Sequence, residues 1–419
     1  MFLKKFTNRF MGIFESFKLR NYSLYFFGQG TSLIGTWIQR TALSWLIYRV
    51  TDSVLWLGLL GFVGKIPSLF ITPFAGVIAD RFPRHKILKI SQILMLVQAF
   101  ALFLIVYIND VKIWQILLLS TILGAIETFE TPVRHAFVFD IVQDRNKIAN
   151  AIGLNSAMFN TARLIGPALA GYLVAQIGEA YCFLINSFSF IAMLLALFQM
   201  KIDIVKANVK KRPFFSNLKE GFTYVVENQS IRYLLFNVCV FTLFGQSYTV
   251  ILPYFAKEVF GGDSRILGLM VSAVGAGALF GAMYLASRKN TKGLTDKISN
   301  FGLLATLCLM VIAFSKIYYL SLILIFITSC GLMMQNAGSN TIIQNIIDED
   351  KRGRVMSIYS MSFLVFLPLG SLLIGSASKY FGVERSVFAS GLLCFLASMV
   401  FRFKVPLIKK KIKEKNIAV

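Results

Sequence analysis

The sequence predicts an all-α integral membrane protein, its twelve transmembrane helices arranged as two six-helix parallel repeats. Three observations carry this prediction: a composition too apolar for a soluble body, twelve apolar runs of spanning length, and an internal repeat. Of 419 residues, 56% are hydrophobic and only 15% charged, which leaves too little polar side chain to cover a water-soluble surface. A helix needs about 20 apolar residues to cross the bilayer core. Such runs fall at about 22–48, 54–79, 87–108, 113–135, 149–174 and 180–200, then 231–256, 266–287, 297–315, 317–341, 355–378 and 385–402.

The repeat is read from glycines and charged turns. Gly76 and Gly281 are 205 residues apart, each followed by a basic turn, and Asp140-Ile141-Val142 and Asn345-Ile346-Ile347 keep that interval. Gly166 and Gly370, then Gly171 and Gly375, are 204 apart, so one insertion separates the copies. Parallel repeats of this kind enclose a site between two halves. The expected organisation is an interfacial segment at 1–21, a six-helix bundle at 22–200, a cytoplasmic linker at 201–230, a second bundle at 231–402 and a basic tail at 403–419.

The formal net charge of +23 is arranged for a membrane and not for nucleic acid. With loops assigned alternately to the two sides, 32 of the 43 Lys and Arg fall in the tails and the loops on their side. Seven fall on the other side, and Arg40, Lys65, Arg134 and Arg163 lie inside spans. This asymmetry sets both termini in the cytoplasm and gives Lys409, Lys410, Lys411, Lys413 and Lys415 to anionic headgroups. The expectation is a monomeric, multi-pass protein of a bacterial inner membrane, with membrane lipids among its partners and no nucleic acid.

Taken in order, residues 1–21 place Phe2, Phe6, Phe10, Phe14 and Phe17 at helical spacing among basic residues, as in a helix lying in the interface. No small-residue cleavage site follows, so the first span is read as uncleaved. That span carries Gln29, Ser32, Thr36, Gln39 and Arg40 as one polar stripe, a face that belongs against other helices or a wet cavity. Arg40, and Lys65 in the second span, are deep enough to require a partner or water unless they snorkel outward. Gly58 to Lys65, GLLGFVGK, has the wrong glycine spacing for a phosphate loop and Ile66 where Ser or Thr would bind magnesium.

The fourth span holds Glu127 and Glu130, with Thr131 and Arg134 on the same face. Glu130 and Arg134 can pair at i, i+4, and movement of the arginine would change whether a carboxyl keeps a proton. That chemistry suits proton coupling at Glu127, Glu130 and Arg134, with protons as a partner; a permanent structural clamp is the other reading. In the fifth span Asn155, Ser156, Asn160 and Arg163 lead into Gly166-Pro167, where a bend and close packing are expected.

The second half is polar without deep charge: Thr242, Gln246, Thr249 and Pro253 stripe the seventh span, and Gln335, Asn336, Ser339 and Asn340 the tenth. Ion coupling is therefore expected in the first half, with neutral hydrogen bonds from the second. The candidate cargo contacts are Gln29, Thr36, Arg40, Lys65, Asn160, Arg163, Gln246 and Asn336. Five cysteines within apolar spans share no metal-ligand spacing and read as buried thiols, while His85 and His135 near helix ends read as solvated. No nucleophile arrangement, metal cluster or cofactor motif is present, which argues against an enzyme.

Between the second and third spans runs Gly76 to Lys86, GVIADRFPRHK. It resembles the signature loop of the major facilitator superfamily, Gly-x-x-x-Asp-Arg-x-x-Arg-Lys, although the second copy has Leu285 in place of Asp80. Gly35-Thr36-Trp37, Ala42 to Trp45, Pro73 to Gly76, Thr131 to Phe137 and Arg163 to Pro167 resemble, more narrowly, the branch of the enterobactin exporter and the macrolide efflux pumps. Lys65 departs from that branch. The resemblance implies the major facilitator fold and alternating access, gated around Gly76, Asp80, Arg81, Arg84, Gly166 and Pro167. It further implies a secondary transporter exporting a small molecule. Arg40, Lys65 and Arg163 outnumber the deep acids, which favours an anionic, siderophore-like cargo over a cationic drug. An importer of the same fold and a non-transporting sensor are the alternatives.

Overall fold

A computed structural model describes residues 15–142, 144–201, 214–288 and 290–417, and every regular element among them is helical. In order these are α1 (Arg20–Thr51), α2 (Val54–Val63), α3 (Ile66–Arg81), α4 (Arg84–Tyr107), α5 (Ile113–Ile141), α6 (Arg145–Gln199) and α7 (Phe214–Glu227). There follow α8 (Gln229–Val240) with an irregular continuation to Val259, α9 (Ser264–Ala286), α10 (Leu294–Ile312), α11 (Tyr318–Ile346), α12 (Arg352–Phe381) and α13 (Val383–Ile417). Ten stretches are long and apolar enough to cross a membrane. One of them, α6, is two helices joined at Gly178, whose φ of 83° and ψ of 170° suit only glycine. The polar stripe keeps α1 below the same apolarity, and counting it the described residues form twelve spans.

The chain divides into two compact units, one of residues 1–43 and 70–210, the other of residues 44–69 and 211–419. The last two turns of α1 and all of α2 therefore group with the second unit. Most of the expected interfacial helix, 1–14, lies outside the described residues, as do the side chains of Asp80 and Arg81 and the surroundings of Gly76 in the loop that follows the second span.

Within the first unit, α1 is fixed by a chain of amides. Asn186 donates to Gln39 at 2.6 Å, Gln39 to Gln98 at 3.1 Å, and Gln98 to the Leu119 carbonyl at 3.1 Å. These bonds tie α1 to α4, α5 and the second half of α6, and they are satisfied throughout, as buried amides must be. Gly35 permits the approach, since a Cβ there would lie 2.3 Å from the Ser189 hydroxyl. His85 is not solvated: it is half-buried, bonds the Leu197 carbonyl at 2.6 Å and stacks on Phe137.

Within the second unit, α2 lies on α12 through glycine. A Cβ on Gly375 would meet the Gly58 Cα at 2.7 Å, and one on Gly58 the Ser371 carbonyl at 2.6 Å, so these two backbones touch. The repeat is visible in packing inside each unit. A Cβ on Gly166 would strike Trp37 of α1 at 2.5 Å, and one on Gly370 would strike the Leu243 carbonyl at 2.1 Å. The same helix pair is thus closed at the same place in both copies. After α8 the chain widens into a π turn at Phe241–Gly245, tightens to a 3-10 turn at Ser247–Ile251, and widens again at Phe255–Val259 around Pro253.

At the end that carries the C-terminus, α7 and α13 are bolted to this unit. Glu220 pairs with Arg354 at 2.6 Å, Tyr224 donates to Asp348 at 2.9 Å, and Lys409 pairs with Asp296 at 2.7 Å. Lys415 donates to the Ile346 and Ile347 carbonyls and to Asp348. Of the five tail lysines assigned to headgroups, Lys409 and Lys415 are thus held by acids distant in sequence, because α13 runs on unbroken, and Lys411 pairs within the tail with Glu414. The Asp348 carboxyl is held below the usual carboxylate range by the Tyr224 hydroxyl and Lys415.

Candidate functional site

The polar stripe of α1 splits when the helix packs. Successive residues turn by about 100°, so Ser32 and Gln39 face the amide chain while Thr36 and Arg40 stand on the opposite edge, half-buried. Gln29 is 3% exposed and its Oε1 lacks a hydrogen-bond partner among the described residues. The Thr36 hydroxyl donates to the Ser32 carbonyl at 2.8 Å. The Arg40 guanidinium lies over the Trp37 ring, 5.4 Å from its centre, and forms an ion pair with Glu127 of α5. The two side chains are 38% and 18% exposed, so the protein leaves this pair partly open.

One turn along α5 the second pair is sealed. Arg134 Nε and Glu130 Oε1 lie 3.1 Å apart with side chains 5% and 6% exposed. The approach is off the N–H axis, and Arg134 Nε, Arg134 Nη1 and Glu130 Oε1 all lack hydrogen-bond partners among the described residues. Arg134 rests over the Phe159 ring at 4.9 Å. The phenol of Tyr25, wholly buried, lies within electrostatic range of both charges and is also unbonded. Orphaned groups of this number in a polar pocket call for ordered water.

Pro167 lies inside α6, and Asn160 donates to the Ser156 carbonyl at 2.8 Å. Asn160 and Arg163 are half-buried on that helix. Arg84 pairs with Asp140 at 2.7 Å. In the second unit, Lys65 sits at the break between α2 and α3, where the Lys65 amide reaches only to the Phe62 carbonyl. Gln246 joins the π turn to the 3-10 turn, and the Asn336 carbonyl accepts from Tyr359 at 3.0 Å.

The charge distribution is one-sided. Among the described residues the buried charged side chains are Glu130, Arg134 and Glu179, all of the first unit, while the buried polar side chains of the second are neutral. At the 205-residue interval Gln335 stands where Glu130 does and Ser339 where Arg134 does. Both are 0% exposed and unbonded. Sequence reasoning missed Tyr25 and the partnership of Glu127 with Arg40. A tyrosine one turn before Gln29 on the stripe was the available signal for the first.

Helices closed on one another by small residues, with ionisable groups buried in only one repeat among the described residues, form a site of the kind a membrane transporter uses. The profile of the transmembrane secretion effectors matches residues 14–417, and the chain belongs to that family of the major facilitator superfamily. It is 28% identical to the staphyloferrin A transporter of Staphylococcus aureus, over 94% of this chain and 98% of that one. It is 20% identical to macrolide efflux protein A of Streptococcus pyogenes, over 92% and 96%. Among solved structures, a bacterial homologue of the human lysosomal transporter spinster aligns with a TM-score of 0.74 at 14% identity, covering 93% and 98%. A bacterial homologue of the iron transporter ferroportin gives 0.69 at 16%, covering 91% and 98%. These two likenesses concern the fold.

Proposed function

We propose that the protein exports a small organic anion of siderophore-like or drug-like kind across a bacterial inner membrane, exchanging it for protons by alternating access. Both termini lie in the cytoplasm in this reading. The observation that carries it is the contrast between an accessible ion pair, Arg40 with Glu127, and a sealed one, Arg134 with Glu130. An organic carboxylate entering beside Trp37 competes with Glu127 for the Arg40 guanidinium, and Arg163 offers a second cation on α6. The names of the relatives, a siderophore transporter and an efflux protein, support a cargo of this size.

The two glutamates take different roles. Anion export runs down an inside-negative potential, worth about 2.3 kcal/mol per charge per 100 mV, and exchange requires the proton to ride on the empty carrier. An anion on Arg40 strips Glu127 of its counter-ion and invites a proton to the same complex, so Glu127 would load cargo and proton together. Glu130, which does not touch Arg40, is free of that linkage and is the group assigned to exchange. If Glu127 is instead the titrating group, the same accessible pair describes a proton-driven importer.

Everted vesicles loaded with a pH gradient separate the two. For the exporter, Glu130→Gln abolishes cargo-induced collapse of the gradient while Glu127→Gln, which removes the carboxylate that competes with cargo for Arg40, retains it with tightened cargo affinity. The reverse pattern, with uptake in right-side-out vesicles, would establish import. Arg163→Ala should abolish anion transport at normal expression, and unchanged transport by that variant overturns the anionic cargo.

A further inference from the structure

The second unit carries a groove whose lining includes none of the candidate cargo or proton residues. It is about 520 Å³ in volume and lies between the irregular turn after α8, the C-terminal half of α12 and the start of α13. Its floor is made of small residues, Gly370, Ala377 and Ser386 among them, and its walls of Leu243, Leu373 and Phe381. The hydroxyls on this floor are turned away: Ser247 donates to the Leu243 carbonyl and Ser386 to the Gly382 carbonyl. With those bonds made, Ser390 is the remaining hydroxyl among the lining residues and the surface is largely apolar. One cation stands among the lining residues, Arg385, exposed and in no ion pair among the described residues. Its acidic neighbour Glu384 is engaged elsewhere, accepting from Tyr254 at 3.0 Å.

The dimensions select the occupant. From Gly370 to Phe381 the helix rises about 16 Å, against a hydrocarbon half-thickness of about 15 Å. The groove therefore runs from the midplane to the interface on the side away from the chain termini, and Arg385 stands at the interfacial end. Leu373, Phe381, Ala389 and Leu393 are exposed along it, so it opens sideways to lipid. We propose that this groove is a binding site for an anionic phospholipid of that leaflet, one acyl chain lying on Gly370 and Ala377 and the phosphate meeting Arg385. Because the lining includes Gly370 and Leu243, where α12 already closes on the irregular span, the chain lies along the outer edge of that seam. Bound lipid then holds that seam closed.

The test uses the full-length protein in nanodiscs of phosphatidylcholine doped with photoactivatable phosphatidylglycerol or photoactivatable phosphatidylcholine, with crosslinks mapped by peptide mass spectrometry. Phosphatidylglycerol should label the groove lining above the rest of the perimeter. Arg385→Gln should lower that label about fivefold, the usual worth of one basic residue at a charged surface. Arg265→Gln, which removes a cation at the same membrane face, should leave it unchanged. Ala377→Trp should block labelling by either lipid, and gel filtration together with an unchanged label elsewhere on the perimeter certifies that the variant is folded. Equal labelling by both lipids with no effect of Arg385→Gln, or label spread evenly round the perimeter, overturns the site.

Discussion

Arg40 and Arg134 each pair with a glutamate of α5 and each lies over an aromatic ring, yet only the Arg40 pair is left partly exposed. That difference assigns their roles. Truncating Phe159 to alanine removes the ring under Arg134 and opens the sealed layer. It should leave cargo affinity near the parent value and raise proton leak in proteoliposomes, a readout that separates it from Arg40→Ala, where affinity falls first. The Glu130–Arg134 pair was legible in the sequence because both partners lie on one helix at i, i+4. The Arg40–Glu127 pair was not, since the partners are 87 residues apart and meet only in the register that Gln39, Gln98 and Asn186 impose. His85 was misread for the same reason: its partner, the Leu197 carbonyl, is 112 residues away.

At the scale of elements, glycine decides which helices touch. Gly375→Leu would force a side chain into backbone, because a Cβ alone already meets the Gly58 Cα at 2.7 Å. Overpacking of this kind costs about 1–3 kcal/mol. The expected result is a lower midpoint in thermal unfolding, with transport lost at temperatures where the variant is still folded. The glycines were visible in the sequence as a repeat, but which neighbour each one admits required coordinates. The clamp on α13 is the other element-scale device. The Asp348 carboxyl is held below its ordinary value by Tyr224 and Lys415, so its contribution is present above about pH 4, the unfolded value. That contribution is lost only as pH falls through the lower folded value. Hydrogen exchange over residues 409–417 should therefore be unchanged between about pH 5 and pH 8 once corrected for intrinsic rates, and faster in Asp348→Asn. A rise in exchange near neutrality would show that another group controls the tail.

For the whole molecule, duplication has left one charged copy and one neutral copy of the same buried layer. Twelve spans and the one-sided placement of charge could be read from the chain, because composition and periodicity report directly on bilayer solvation. The packing could not, because it depends on amides such as Asn186 and Gln39, which bond across 147 residues and whose partnership no spacing rule names. Introducing Gln335→Glu alone buries an unpaired carboxylate and should destabilise the second unit by about 3–5 kcal/mol. Adding Ser339→Arg, which recreates the spacing of Glu130 and Arg134, should restore part of that loss in thermal unfolding, and no recovery would mean that the two layers are not equivalent.

The wide turns after α8 carry a consequence for length. A π turn absorbs one residue more than an α turn between the same flanking helices, so the span holding Phe241–Gly245 and Phe255–Val259 has slack at two places. Deleting one residue from either turn should tighten it to α geometry while the ends stay anchored. A single deletion in the regular α11 instead rotates everything beyond it by about 100° and swings Gln335 out of the protein into hydrocarbon.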